Sequence, residues 1–81
     1  MKGHVLRRAA GDNYLIKYGE EPYRKPLLLN DSAAEIFRRF DGGEDVGSIA
    51  AYLSNTYNLD IKEARADVEA VVSQTTNYLG E

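Results

Sequence analysis

An α+β domain, with a three-stranded antiparallel sheet followed by three helices, is the fold class this sequence predicts, and three observations carry it. Tyr14, Ile16 and Tyr18 repeat with period two between Gly11-Asp12-Asn13 and Gly19, the pattern of a half-buried strand flanked by turns. From Ala33 onwards, apolar residues recur at helical spacing in three separate stretches. Strands first and helices afterwards is the order of a domain whose helices pack on one face of a small sheet. The 81 residues make a single domain over 1–81, close to the lower limit for a core without staples.

The strands fall within residues 4–29. His4 to Arg8 is the hairpin partner of the Tyr14–Tyr18 run, and a third strand is expected at Pro26 to Leu29, because Pro26 lacks a ladder donor and suits a strand start or an edge. Glu20 to Lys25 reads as a polar loop. Helices are expected at about 31–40, 46–58 and 61–79. The first is capped by Asn30, or by Ser32 with Glu35 in a capping box, and shows Ala33, Ile36, Phe37 and Phe40 on one stripe before Gly42-Gly43 stops it. Asp45 caps the second, with Val46, Ile49, Ala50, Leu53 and Tyr57 as its stripe and Asn58 as a left-handed exit. The third begins at Asp60, with Leu59 stapling against Ala64, presents Ala64, Val68, Val71, Val72, Thr75 and Leu79, and ends at Gly80.

Composition narrows the function. Without cysteine there is no disulfide, thiolate nucleophile or sulfur-ligated metal site, and a single histidine cannot assemble the common zinc sets. His4, near the start of the chain, reads as solvated. Glu20-Glu21 and Glu44-Asp45 fall in loops, and Ser48, Ser54 and Ser73 have no nucleophile-elbow context. We therefore expect no catalytic residue, no metal and no cofactor. With no apolar run near the roughly 18 residues of a membrane span and no signal-type start, a soluble cytoplasmic protein is expected.

Charge is divided between the halves. Residues 1–25 hold six basic and three acidic side chains, and the remainder holds four basic and ten acidic ones. The third helix carries Asp60, Glu63, Asp67 and Glu69 against Lys62 and Arg65, which would repel a phosphate backbone. A winged-helix DNA-binding regulator, whose helix order is compatible, is thus the second reading. The first is peptide binding. Leu27, Leu28 and Leu29 cannot all face a core from one strand, and an open edge is able to take an extra strand from a guest. Such an edge also allows pairing with a second copy, so a homodimer is compatible with the sequence.

Leu29-Asn30, Ala34-Glu35-Ile36-Phe37, Asp41-Gly42, Val46-Gly47-Ser48-Ile49-Ala50, Tyr57-Asn58-Leu59-Asp60 and Ala66-Asp67-Val68 follow one another in an order and spacing that resembles the PqqD-like family, the RiPP recognition elements, over about residues 26 to 81. The resemblance implies a winged-helix-like, non-catalytic chaperone of natural product biosynthesis. Such a module binds the leader of a ribosomally made precursor peptide and presents it to a modifying enzyme, such as a radical-SAM protein or a lasso-type protease. It further implies that the leader adds to the third strand against the third helix. Carried onto this sequence, Leu27, Leu28 and Leu29 form the strand wall, and Arg65, Val68, Glu69 and Val72 the helix wall, with Arg65 pairing with an acidic leader residue.

Overall fold

The computed structural model describes residues 3–19 and 24–80; residues 20–23 of the expected polar loop lie outside the described residues. Three strands, β1 (His4–Ala9), β2 (Asp12–Lys17) and β3 (Leu27–Leu29), precede three helices, α1 (Asp31–Asp41), α2 (Val46–Tyr57) and α3 (Ile61–Leu79). The sheet is antiparallel with order β1-β2-β3, the α+β arrangement that the sequence predicts.

A two-residue turn sets the register. Ala10 and Gly11 both have positive φ, 53° and 84°, the twist that lets a tight hairpin follow its strands. Ala9 therefore faces Asp12, and the pairing runs up to His4 opposite Lys17. The period-two reading of β2 is right and its phase is inverted. Asn13 and Leu15 are the buried residues, whereas Tyr14 and Ile16 are half-buried and Tyr18 is exposed on the side away from the helices. The inward face is viable despite its polar members because each is satisfied. The Asn13 amide donates to the Leu29 carbonyl (3.2 Å) and to Asp31 (2.8 Å), and Lys17 donates to the Leu79 carbonyl. His4 is likewise not solvated. Its side chain, 8 % exposed, bonds Asp41 at 3.0 Å and meets Phe37 edge-on, because β1 lays it against the end of α1.

Helix ends follow local chemistry. The side chains of Asn30, Asp45 and Asp60 accept from the backbone N–H groups of Ala33, Ser48 and Lys62 respectively. Asn58 leaves α2 in the left-handed region at φ 55°, and Gly43, at φ 107°, turns the chain after α1. No basic residue lies in the last turn of α3; its final carbonyls receive Lys17 and Arg24 from the sheet side instead, cations placed where the helix dipole favours them.

Two apolar clusters form the core. One joins sheet and helices through Leu15, Leu29, Ala33, Ala34, Phe37 and Leu79. The other is wholly helical, with Ile36, Ile49, Ala50, Leu53, Ala64 and Val68. Val71 packs against both. No described helix is long and apolar enough to cross a membrane.

Candidate functional site

Strand β3 is an edge, since β2 occupies one side of it and no described strand pairs on the other. The direction of its backbone groups follows from the hairpin. Residues flanking a two-residue turn bond to each other, and partners alternate along a strand. Asp12 and Tyr14 therefore bond towards β1, a parity confirmed by the Tyr18 N–H donating to the Gly3 carbonyl at 3.0 Å. Asn13 and Leu15 bond towards β3, to their partners Leu29 and Leu27. That leaves Leu28, opposite Tyr14, with its N–H and C=O directed outwards. Side chains alternate as well: Leu29 is buried, Leu27 half-buried against the sheet-side cluster, and Leu28 is 58 % exposed. One residue thus combines an open backbone donor and acceptor with an exposed aliphatic side chain.

Beyond the end of β3 the surface opens into a cleft of about 610 Å³. Asn30 to Ala33 and Ile36 bound it where β3 passes into α1, and Leu53, Tyr57 and Leu59 close it from the end of α2. Asp67, Ala70 and Val71 supply the α3 wall. Ile36, Leu53 and Val71 belong to the helical cluster or pack on it, so the floor is apolar and packed. Among the described residues, two that line the cleft are acidic and none is basic. Asp31 accepts from the Asn13 amide and from Arg8 (both 2.8 Å), and these contacts, the Asn13 bond first, hold its carboxyl below the usual 3.8. Arg8 partly neutralises it. Asp67 is exposed and lies within ion-pair distance of no described cation.

The helix residues named from the sequence lie elsewhere on α3. At roughly 100° per residue, positions 65 and 69 fall on the side of the helix away from 67, 70 and 71. Arg65 and Glu69 are both exposed and pair with each other at 3.4 Å, and Arg65 adds to the contacts, chiefly the Ser48 N–H, that lower the Asp45 carboxyl. Val68 is fully buried, and Val72 is half-buried beside the helical cluster. The structure therefore brings Leu27, Leu28 and Leu29 together on one edge, and where that strand ends, at Asn30, it opens the cleft whose α3 wall is Asp67, Ala70 and Val71. Asp67 had a signal in the sequence: its i−4 and i+4 neighbours, Glu63 and Val71, offer it no cation. Tyr57 had none, because its period places it on the packed stripe of α2, yet it is 54 % exposed at the mouth of the cleft.

Comparison with known families decides the assignment. The family model described as coenzyme PQQ synthesis protein D (PqqD) matches residues 23–78, a span that takes in β3, α1, α2 and all of α3 but its last residue. The chain belongs to the PqqD family. Membership carries a general role in binding precursor peptides for PQQ and related ribosomal-peptide maturation. No curated protein and no solved structure matches the chain. Among the described residues no group of three or more His, Asp or Glu side chains is placed to hold a metal ion.

Proposed function

We propose that this PqqD-family chain binds the leader of a ribosomally made precursor peptide by strand addition at β3 and presents it to a modifying enzyme, of the radical-SAM or lasso-protease kind. The observation that carries the reading is Leu28. Its outward N–H and C=O are what an incoming strand needs for a pair of main-chain bonds, and its neighbours Leu27 and Leu29 are already committed to β2. Main-chain bonds give sequence-independent affinity, and adjoining side-chain pockets give selectivity. Beyond the end of this edge the α3 wall of the cleft is Asp67, Ala70 and Val71, with Arg65, Glu69 and Val72 on the far flank and Val68 beneath as support. Presentation acts through effective concentration: a leader held on a carrier that also docks the enzyme keeps the core peptide near the reacting centre. Ordering a disordered leader costs chain entropy and offsets part of the contact energy, so an affinity of about micromolar, roughly −8 kcal/mol, is expected.

Amide hydrogen exchange resolved to single residues tests the mode. On adding the leader, the Leu28 amide should become protected, while Leu27 and Leu29, already bonded to β2, should change little. Protection confined to α2, with Leu28 exchanging as before, would rule out strand addition.

A further inference from the structure

The cleft at the end of β3 differs from an ordinary apolar groove in its charge. Its floor is aliphatic, its mouth carries the exposed ring of Tyr57, and among the described residues its only charged lining residues are Asp31 and Asp67. Asp31 already holds Arg8 at 2.8 Å. Asp67, on the opposite wall, holds no cation among the described residues. The half of the chain that builds the cleft, residues 26–81, has four basic and ten acidic side chains, so its field favours the same sign of guest.

We infer that this cleft is a selectivity pocket for a linear peptide in which a lysine or arginine stands next to a large aliphatic or aromatic residue. The apolar side chain fills the space over Ile36, Leu53 and Val71, and the cation meets the Asp67 carboxylate in the cleft that Tyr57 also lines. Each component answers a stated feature of the site. Apolar burial supplies affinity, an unpaired carboxylate at an apolar rim attracts a cation and repels an acid, and an aromatic ring lining the same cleft adds to the attraction. An acidic guest residue here would sit against two carboxylates, so the pocket selects against it as well as for a base. The inference rests on the strand-addition reading, which brings the guest to the end of β3.

The test is a display selection of random dodecapeptides on the full chain at moderate salt, run in parallel on Asp67→Lys, Asp67→Asn and Leu28→Pro. Asp67→Lys suits its helix, because Glu63 then stands four residues before a lysine. Leu28→Pro removes the outward N–H and the exposed side chain from an edge strand and leaves the pairing of Leu27 and Leu29 with β2 in place. Circular dichroism and a single melting transition verify that each variant is folded. Peptides enriched by the natural chain should carry Lys or Arg beside a bulky apolar residue and bind Asp67→Asn about three- to tenfold more weakly, the scale of one partly solvated charge contact. Asp67→Lys should enrich Asp or Glu at that place, and Leu28→Pro should retain none of the binders. Unchanged charge preference across the Asp67 variants, with loss on Leu28→Pro, overturns the pocket and leaves strand addition standing. A charge switch at Asp67 with full retention by Leu28→Pro removes strand addition and leaves the pocket. Failure to enrich any peptide on the natural chain overturns both.

Discussion

The two apolar clusters are held in different ways. The helical cluster of Ile36, Ile49, Ala50, Leu53, Ala64 and Val68 is fastened by packing and by caps drawn from residues next in sequence, Asp45 and Asp60. One cation assists: Arg39 reaches from α1 to stack over the Tyr52 ring of α2 at 3.5 Å. The sheet-side cluster depends on polar contacts between residues far apart in the chain: Arg8 and Asn13 with Asp31, His4 with Asp41, Lys17 and Arg24 with the end of α3, and the Tyr78 hydroxyl donating to the Lys25 carbonyl. The open edge belongs to this second half. A strand of three residues has little packing of its own, so polar clamps around it keep β3 in register while leaving its outer side bare.

Truncation in either cluster should have the largest effect. Leu15 and Leu53 are almost wholly buried, one in each cluster, and Leu15→Ala or Leu53→Ala should each cost about 2–5 kcal/mol in urea unfolding. Because Val71 packs on both clusters, each variant should still unfold in one transition, observed together by far-UV circular dichroism and tyrosine fluorescence. Two separated transitions would show that the halves are independent units.

Removing a clamp should separate the halves more finely. Asn13→Ala takes away the amide that serves the Leu29 carbonyl and Asp31, and should lower stability by about 1–3 kcal/mol, the range for a buried polar group losing its partner. Exchange at β3 should rise more than exchange in α2. Equal acceleration in both would mean that the clamp supports the whole core and not the edge.

The same contrast explains what was legible in the sequence. Helix boundaries were, because Asn30, Asp45, Asp60 and Asn58 act on backbone groups within a few residues. The order of the strands was also legible from alternation and turn residues. The phase of β2 was not. Tyr14, Ile16 and Tyr18 form the more apolar side, yet Asn13, Leu15 and Lys17 face the helices, because Asp31, Leu29 and Leu79 supply their polar partners from positions distant in sequence. The site divides likewise. The leucine edge could be read from three adjacent residues. The α3 wall could not, since 65 and 69 border the core stripe on one side and 67 and 70 border it on the other, and only the packing of α2 and the start of α1 shows that the cleft lies on the flank of 67, 70 and 71.

Acid should weaken the clamped half in a way one variant can isolate. Asp31 has its folded carboxyl depressed below 3.8 by Asn13 and Arg8. A depressed acid stabilises the fold above its unfolded value and loses that contribution as pH falls through the lower folded value, so the window opens at about 3.8 and extends below it. Asp45, lowered chiefly by the Ser48 N–H, behaves with the same sign at the start of α2. Asp31→Asn should be less stable than the natural chain at neutral pH and lose less on going to about pH 3. An acid limb as steep as that of the natural chain would assign the loss to other carboxylates, Asp45 first.

The smallest effect should come from the far flank of α3. Arg65 is exposed, pairs with Glu69 along the same helix and is absent from the lining of the cleft. Arg65→Glu breaks that pair and places a second glutamate four residues before Glu69, a change of about 0.5 kcal/mol or less in stability. If the guest lies between β3 and Asp67, calorimetry with the leader should register a change no larger than that. A loss of about 1–3 kcal/mol in affinity, the size expected when a charge-assisted contact becomes a repulsion, would move the guest across α3 onto the Arg65 side. In that case Asp67→Asn should leave leader affinity unchanged, so measuring both variants against one leader fixes which flank of the helix it uses.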